Sequence, residues 1–266
     1  METIPSALHD KKLDEILRSH NLAVFLDYDG TLTEIVEEPS KALLSEDTRR
    51  VLGDLASLCT TVIISGRDVE DVRRLVNIQN IVYSGSHGFD ILRGDGRRNE
   101  NPKWLPFLPF IDYAEKELRS AVEPIPGVIV ERKRFAISVH YRKVDPNDVP
   151  MVEERFNNIA ASLPKLRKGS GKKIFELLPN VEWNKGAALL LLLKTLKVEE
   201  NGALPIFIGD DLTDEDAFKV IRGKGVGIFV GEVDRNTFAQ CCLRNPTEVK
   251  LFLERLVGFL NERKGR

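Results

Sequence analysis

Cysteine is scarce in this chain: three of 266 residues carry a thiol, Cys59, Cys241 and Cys242. The number is odd, two are adjacent and none has metal-ligand spacing, which argues against a disulfide framework and points to a reducing compartment. An excess of one charge is also missing. Lysine and arginine number 39 against 41 aspartates and glutamates, a net charge of -2. Neither nucleic acid nor an anionic membrane surface is therefore expected as a partner. Long apolar runs are absent too. The longest, Ala187 to Leu193, falls far short of the ~20 residues that span a bilayer. The N-terminal stretch METIPSALHDKKLDEILRSH lacks the apolar core of a signal peptide. There is no internal repeat and no low-complexity tract. A soluble, cytoplasmic, monomeric protein is expected, acting on a small molecule.

What is present is a chain 42% hydrophobic, enough for one large domain or two smaller ones. LAVFLDYD reads as a buried strand followed by turn chemistry. Ser45 to Leu58 reads as a helix capped by Ser45, TTVIIS as a second buried strand, Asp68 to Val76 as a helix and NIVYSGSHG as a third strand. Continuous apolar strands alternating with helices predict a parallel sheet covered on both faces. The rhythm then changes. A helix at about Leu108 to Val122 precedes GVIVERKRFAISVHYR, a hairpin. A polar helix at Pro150 to Leu163 precedes KLRKGSGKKIFELLP, a second hairpin with Gly169-Ser170-Gly171 expected as its turn. From Asn184 the first rhythm resumes: an apolar helix, the strand LPIFIGDD, a helix over Asp214 to Ile221, the strand GVGIFV and a last helix, Thr247 to Asn261. The expected fold is α/β, a doubly wound, Rossmann-like parallel sheet formed by residues 1–102 and 183–266. A smaller α+β domain is inserted at residues 103–182.

In such sheets ligands sit beyond the carboxyl ends of the strands. Three strands end in polar clusters: Asp27-Tyr28-Asp29-Gly30-Thr31, Ser65-Gly66-Arg67, and Gly209-Asp210-Asp211 with Asp214 beyond; Lys185-Gly186 opens a helix. Carboxylates at the rim of a core are costly without a partner. Two unit charges ~4 Å apart repel by about 4 kcal/mol near a protein surface. A divalent cation and a lysine would offset that, and an all-oxygen ligand set with carboxylates suits Mg²⁺, which also takes substrate phosphate. A carboxylate can attack phosphorus to give an aspartyl phosphate. A second carboxyl two residues on can protonate the leaving oxygen and then take a proton from water. Asp27 is the expected nucleophile and Asp29 the acid/base. Lys185 at a helix start opposes the helix dipole, which favours an anion-binding role over a solvated one. Asp214 also suits a helix N-terminus on dipole grounds alone.

DxDGT, a strand ending in serine, a helix-opening lysine and GDD with a further aspartate, in this order, resemble the four motifs of the haloacid-dehalogenase-like phosphatases. The insert resembles that superfamily's larger α/β cap. LDYDGTLT, ISGR, GSHGFDI, SVHYR, KKIFELLP, WNKGAAL and IGDDLTDEDAF, spread over Leu22 to Val230, resemble the trehalose-6-phosphate phosphatases in their plant-like version. The resemblance implies Mg²⁺-dependent hydrolysis of trehalose 6-phosphate through an aspartyl phosphate. By position, Asp27, Asp29, Ser65 and Lys185 match the catalytic and phosphate-binding groups. Asp27, the backbone of Asp29 and Asp210 match the metal ligands, with Asp211 and Asp214 in support. Thr31, Gly66, Arg67, Ser86, His87 and Gly88 match core residues near the substrate. Glu131, His140, Arg142, Lys173 and Glu176 match the sugar-recognition segments of the cap. His140 and Arg142 share strand parity and would face one side, whereas Lys173 and Glu176 have opposite parity. Leu178 stands where such relatives commonly carry a basic residue. Other readings are a phosphatase of another sugar phosphate, such as sucrose 6-phosphate or a glycosyl-glycerate phosphate, and a non-catalytic sugar-phosphate-binding regulator. The intact Asp27, Asp29, Lys185 and Asp210 argue against the regulator.

Overall fold

A computed structural model describes residues 4–36, 41–98, 103–171, 173–232 and 236–265. The strands are β1 (Asn21–Leu26), β2 (Thr60–Ile64), β3 (Val82–Gly85), β4 (Asp90–Arg93), β5 (Ile129–Lys133), β6 (Ala136–His140), β7 (Leu166–Gly171), β8 (Ile174–Pro179), β9 (Ala203–Gly209), β10 (Val226–Val230) and β11 (Cys241–Leu243). The helices are α1 (Lys11–Ser19), α2 (Glu46–Leu58), α3 (Val69–Val76), α4 (Leu108–Val122), α5 (Val149–Ala161), α6 (Lys185–Thr195), α7 (Glu215–Ile221) and α8 (Pro246–Lys264). The chain divides into two compact units, Met1–Asn99 with Trp183–Arg266, and Glu100–Glu182. Among the described residues no helix is long and apolar enough to cross a membrane.

The first unit is the expected doubly wound sheet, in the order β11-β10-β9-β1-β2-β3-β4. The alternation of β1 shows why it sits between two layers. Leu22, Val24 and Leu26 pack with α1, α2 and α8 through Leu17, Leu52 and Phe252. Ala23 and Phe25 point the other way, with Leu189 and Leu192 of α6 and Phe218 of α7. A fully buried Val or Phe contributes about 1.5–3 kcal/mol, so β1 is anchored on both faces. Asp27 is held at its end, where the main chain still bonds to β9 through Asp27 N–H to the Ile208 carbonyl, 2.9 Å. Side chains cap the helices where the sequence suggests: Ser45 Oγ accepts from Thr48 N–H and Asn184 Oδ1 from Ala187 N–H, each typically worth about 1 kcal/mol.

Two edge strands go beyond the sequence-based expectation. β4 turns back antiparallel to β3, so the sheet is mixed. β11 extends the other edge in parallel to β10. Ser6 then bridges to Cys242, which covers part of that edge and leaves fewer unpaired groups there. Within the apolar run of α6, Leu190 is exposed.

The second unit is α+β, as expected. Its sheet is antiparallel, in the order β5-β6-β8-β7. On one face Phe175 stacks between Tyr141 and Phe156 of α5, with ring centroids 4.5 and 5.3 Å away. Cross-strand pairing places Glu131 opposite Ser138 and Ser138 opposite Glu176, so these three share the opposite face. The second hairpin does not turn at Gly169-Ser170-Gly171. These residues belong to β7, and the reversal falls between the paired Gly171 and Ile174. This register puts Phe175 into the aromatic stack, and a slip by one residue would turn it to the other face.

Candidate active site

The ends of β2, β1 and β9 lie side by side, since β1 pairs in parallel with both neighbours. Asp27, Ser65 and Asp210 are the residues just beyond, or one past, those ends, which brings together three motifs far apart in sequence. The fourth, Lys185, is the first residue of α6. Its ammonium donates to Asp27 Oδ1 at 2.9 Å and to Asp214 Oδ1 at 2.6 Å. All three are buried; Lys185 keeps 3% of its surface, Asp27 5% and Asp214 none.

Burial pushes the Asp27 carboxyl well above the usual carboxylate range; Lys185 opposes the rise, and Asp214 and Asp210 add to it. Burial, with Asp214 next, pushes Asp210 up to about 6. Burial works against the Lys185 ammonium, but Asp214 and Asp27 outweigh it and hold it charged far above neutrality. Two carboxylates thus share one ammonium, with a third close by. Asp27, Asp210 and Asp214 each offer an oxygen within 4.8 Å of the others. This all-oxygen group has an excess of negative charge, which fits a hard divalent cation.

The carboxylates do not play equal parts. Asp214 Oδ2 accepts from the backbone N–H groups of Asp210 and Asp211, at 3.0 and 2.9 Å, while Oδ1 is held by Lys185. It shapes the loop and neutralises Lys185. Asp211 departs from its expected place near a metal. Its exposed side chain caps the turn at Leu212 N–H, 2.6 Å away, and lies outside the acidic group. Thr31, buried, donates to Asp210 Oδ1 at 3.1 Å. Gly30 has φ +84°, and a Cβ there would stand 2.1 Å from Asp210 Oδ2. Only glycine lets the loop descend this far onto the carboxylate. A cleft of about 410 Å³ is lined in part by Gly30, Ile35, Asp210 and Gly231.

The Asp29 side chain is likewise outside the acidic group. Arg67 grips it as a fork, Nε to Oδ2 at 2.7 Å and Nη2 to Oδ1 at 2.6 Å. Arg67, expected near the substrate, thus bonds directly to the candidate acid/base. Buried Ser65 accepts from Arg67 N–H at 3.1 Å through Oγ and from His87 N–H through its carbonyl at 2.9 Å. Ser86, His87 and Gly88 all have positive φ, 48°, 56° and 97°, a left-handed turn that costs non-glycine residues of order 1–3 kcal/mol each. Trp183 Nε1 donates to the His87 carbonyl at 3.1 Å and ties down this turn. The imidazole packs on Gly66, where a Cβ would stand 2.8 Å from Cε1.

In the second unit, Glu131 and His140 pair at 2.6 Å. Glu176 Oε1 accepts from Lys133 Nζ at 2.9 Å and from Ser138 Oγ at 2.7 Å. Lys133 and Ser138 are additional members of this polar face. Their signal in the sequence is strand parity with Glu131 and His140. Arg142 does not share that parity, because β6 ends at His140 and Arg142 lies exposed in the following turn. Lys173, at φ +66°, sets its ammonium 5.8 Å from the Tyr141 ring centroid, beside the aromatic stack and apart from Glu176. Leu178 is buried and pairs across the sheet with Arg167.

The sequence profile described as trehalose-phosphatase matches residues 25–252. Trehalose-phosphate phosphatase B of Arabidopsis thaliana is 42% identical over 275 residues, which cover 98% of this chain and 73% of that protein. Probable trehalose-phosphate phosphatase 3 of Oryza sativa subsp. japonica is 40% identical, with 100% and 78% covered. Among solved structures, a trehalose-6-phosphate phosphatase related protein aligns with a TM-score of 0.77 at 28% identity, over 91% of this chain and 99% of that one. The C-terminal domain of a C. albicans trehalose-6-phosphate phosphatase also aligns with a TM-score of 0.77, at 26% identity over 96% and 98%.

Proposed function

Because the chain belongs to the trehalose-phosphatase family, a family of phosphoric monoester hydrolases, we propose that it hydrolyses trehalose 6-phosphate to trehalose and phosphate. The observation that carries this reading is the buried group in which Asp27 and Asp214 share Lys185 beside Asp210, inside the stretch that matches the family. Asp27 is the nucleophile. Its Oδ1 is held by Lys185, which fixes the carboxylate's direction and offers the incoming phosphoryl group a positive charge. Ser65 and the backbone N–H groups of the loop after Asp27 bind the phosphoryl oxygens. Asp29 gives a proton to the sugar oxygen as the ester breaks, then takes one from the water that hydrolyses the aspartyl phosphate. Asp27, Asp210 and the Asp29 carbonyl would hold Mg²⁺ in this site. When bound it offsets the crowded carboxylates and polarises the phosphoryl oxygens. Asp214 and Asp211 shape the loop that presents Asp210.

Chelation is therefore expected to abolish phosphate release, with Mg²⁺ restoring it and Ca²⁺ supporting it poorly, since Ca²⁺ takes more ligands at longer distance. Mg²⁺ should also raise the melting temperature, by relieving repulsion among Asp27, Asp210 and Asp214. Full turnover in excess chelator together with an unmoved melting curve would remove the metal from the account.

Sugar recognition belongs to the polar sheet face of the second unit, around Glu131, His140 and Glu176. A charged hydrogen bond is worth about 1.5–3 kcal/mol, and 1.4 kcal/mol is tenfold. Glu176→Ala should lower kcat/KM for trehalose 6-phosphate by about 10- to 150-fold. It should leave p-nitrophenyl phosphate, which has no sugar, nearly unchanged. Equal losses on both would mean that Glu176 serves only Lys133 and Ser138. The function itself is tested with a panel of trehalose 6-phosphate, sucrose 6-phosphate, glucosyl-glycerate phosphate and glucose 6-phosphate, with released phosphate measured. Trehalose 6-phosphate should lead. Preference for another member would overturn the substrate.

A further inference from the structure

Asp71 has no part in the four motifs, yet it completes a chain of charges that starts at Asp29. Both Asp29 oxygens are taken by the Arg67 fork, and Arg67 Nη1 donates to Asp71 Oδ2 at 3.1 Å. Asp71 Oδ1 in turn accepts from Arg74 Nη2 at 2.5 Å. Arg67 lies just ahead of the Asp68 cap of α3 and Asp71 in the helix's first turn.

This is not an ordinary surface ion pair. The Arg67 side chain keeps only 11% of its surface, and its guanidinium lies 5.4 Å from the ring centroid of Tyr28, the residue between Asp27 and Asp29. A planar fork set over a ring at cation–π distance and bonded to two carboxylates cannot be imitated by a flexible ammonium. Asp29 must turn one oxygen toward the leaving group to act on it. At that moment the fork loses half of its grip, and a guanidinium held by Asp29 alone would follow the carboxylate. A second anion on its far edge keeps it in place.

We propose that Asp71 is a positioning residue for the reaction: from α3 it anchors Arg67, so that Arg67 aims Asp29 and stays put while one Asp29 oxygen engages the substrate. The inference rests on the proposed role of Asp29 as acid/base. Arg74 only trims the outer oxygen of Asp71 from a mostly exposed position, so it is dispensable.

The test is steady-state kinetics of the full chain with Mg²⁺ and trehalose 6-phosphate, alongside thermal melting. Asp71→Asn and Asp71→Ala should each lower kcat by about 10-fold or more, the scale of a misplaced catalytic group, with KM within about twofold. Asp71→Glu should recover most of the loss, and Arg74→Ala should match wild type. In an Asp29→Asn background, adding Asp71→Asn should change kcat by no more than about twofold, because independent sites add within that margin and dependent ones do not. Wild-type kcat in Asp71→Asn and Asp71→Ala overturns the proposal, and so does a loss that multiplies fully with Asp29→Asn. Asp27→Asn, run in parallel, separates the two levels. If it is inactive while the Asp71 variants behave as wild type, only the role of Asp71 falls. If it turns over normally, the reading of the site falls with it.

Discussion

Asp27→Asn should fold and lose turnover of trehalose 6-phosphate by at least about 10⁴-fold, the scale seen when an essential nucleophile is removed. The amide nearly matches the carboxylate in shape but cannot attack phosphorus and is a weaker ligand for a hard cation. Folding is expected to survive for an electrostatic reason. Burial and the neighbouring Asp214 and Asp210 already disfavour a charge on Asp27. Lys185 keeps its 2.6 Å bond to Asp214 when the charge is gone. The melting temperature should therefore stay level or rise, while phosphate release falls to background. A variant that releases phosphate at the wild-type rate would place the nucleophile elsewhere.

Lys185→Met should act on both stability and activity. Removing one partner of a buried ion pair typically costs about 3–5 kcal/mol, because the other charge is left uncompensated. Here Asp27 and Asp214 lose their shared cation, with Asp210 close by. The raised position of Asp27 and Asp210 on the pH scale lets protonation relieve part of that cost, so the lower end applies. At about 2–4 °C per kcal/mol, a fall in melting temperature of roughly 6–12 °C is expected, with turnover lost as well. Because the remaining cluster is more negative, Mg²⁺ should raise the melting temperature of Lys185→Met more than that of wild type. A melting curve identical to wild type, with or without Mg²⁺, would mean that Lys185 is not the counter-charge of this group.

Much of the core site could be read from the chain because its logic is that of strand ends. Continuous apolar strands predict a parallel sheet, polar residues at their carboxyl ends predict a site, and Asp27, Ser65, Lys185 and Asp210 do converge there. Side-chain partners were harder to read. Arg67 and Asp29 are 38 residues apart, and nothing in their spacing says that a guanidinium after β2 bends toward β1. Asp211 and Asp214 look alike in sequence, but the first caps a turn at the surface and the second is the buried partner of Lys185. Parity failed at strand ends: it presumes that β6 continues to Arg142, whereas the strand stops at His140 and Tyr141 joins the aromatic stack. The hairpin glycines mark a turn by composition, but the demand that Phe175 meet Phe156 moves the reversal onward. Edge strands such as β4 and β11 are only three or four residues long and make a weak periodic signal.

The most direct measurement is rapid-quench labelling with radiolabelled trehalose 6-phosphate and Mg²⁺, followed by peptide mapping of the protein. It is best done on wild type and on Asp29→Asn, whose second step should be slowed by about 10²–10⁴-fold. A protein-bound phosphoryl group should form and decay at a rate compatible with turnover, persist longer in Asp29→Asn, and map to the peptide containing Asp27. Phosphate release from a protein that carries no label at any time, or a label on any residue other than Asp27, would contradict the assignment of Asp27 as nucleophile.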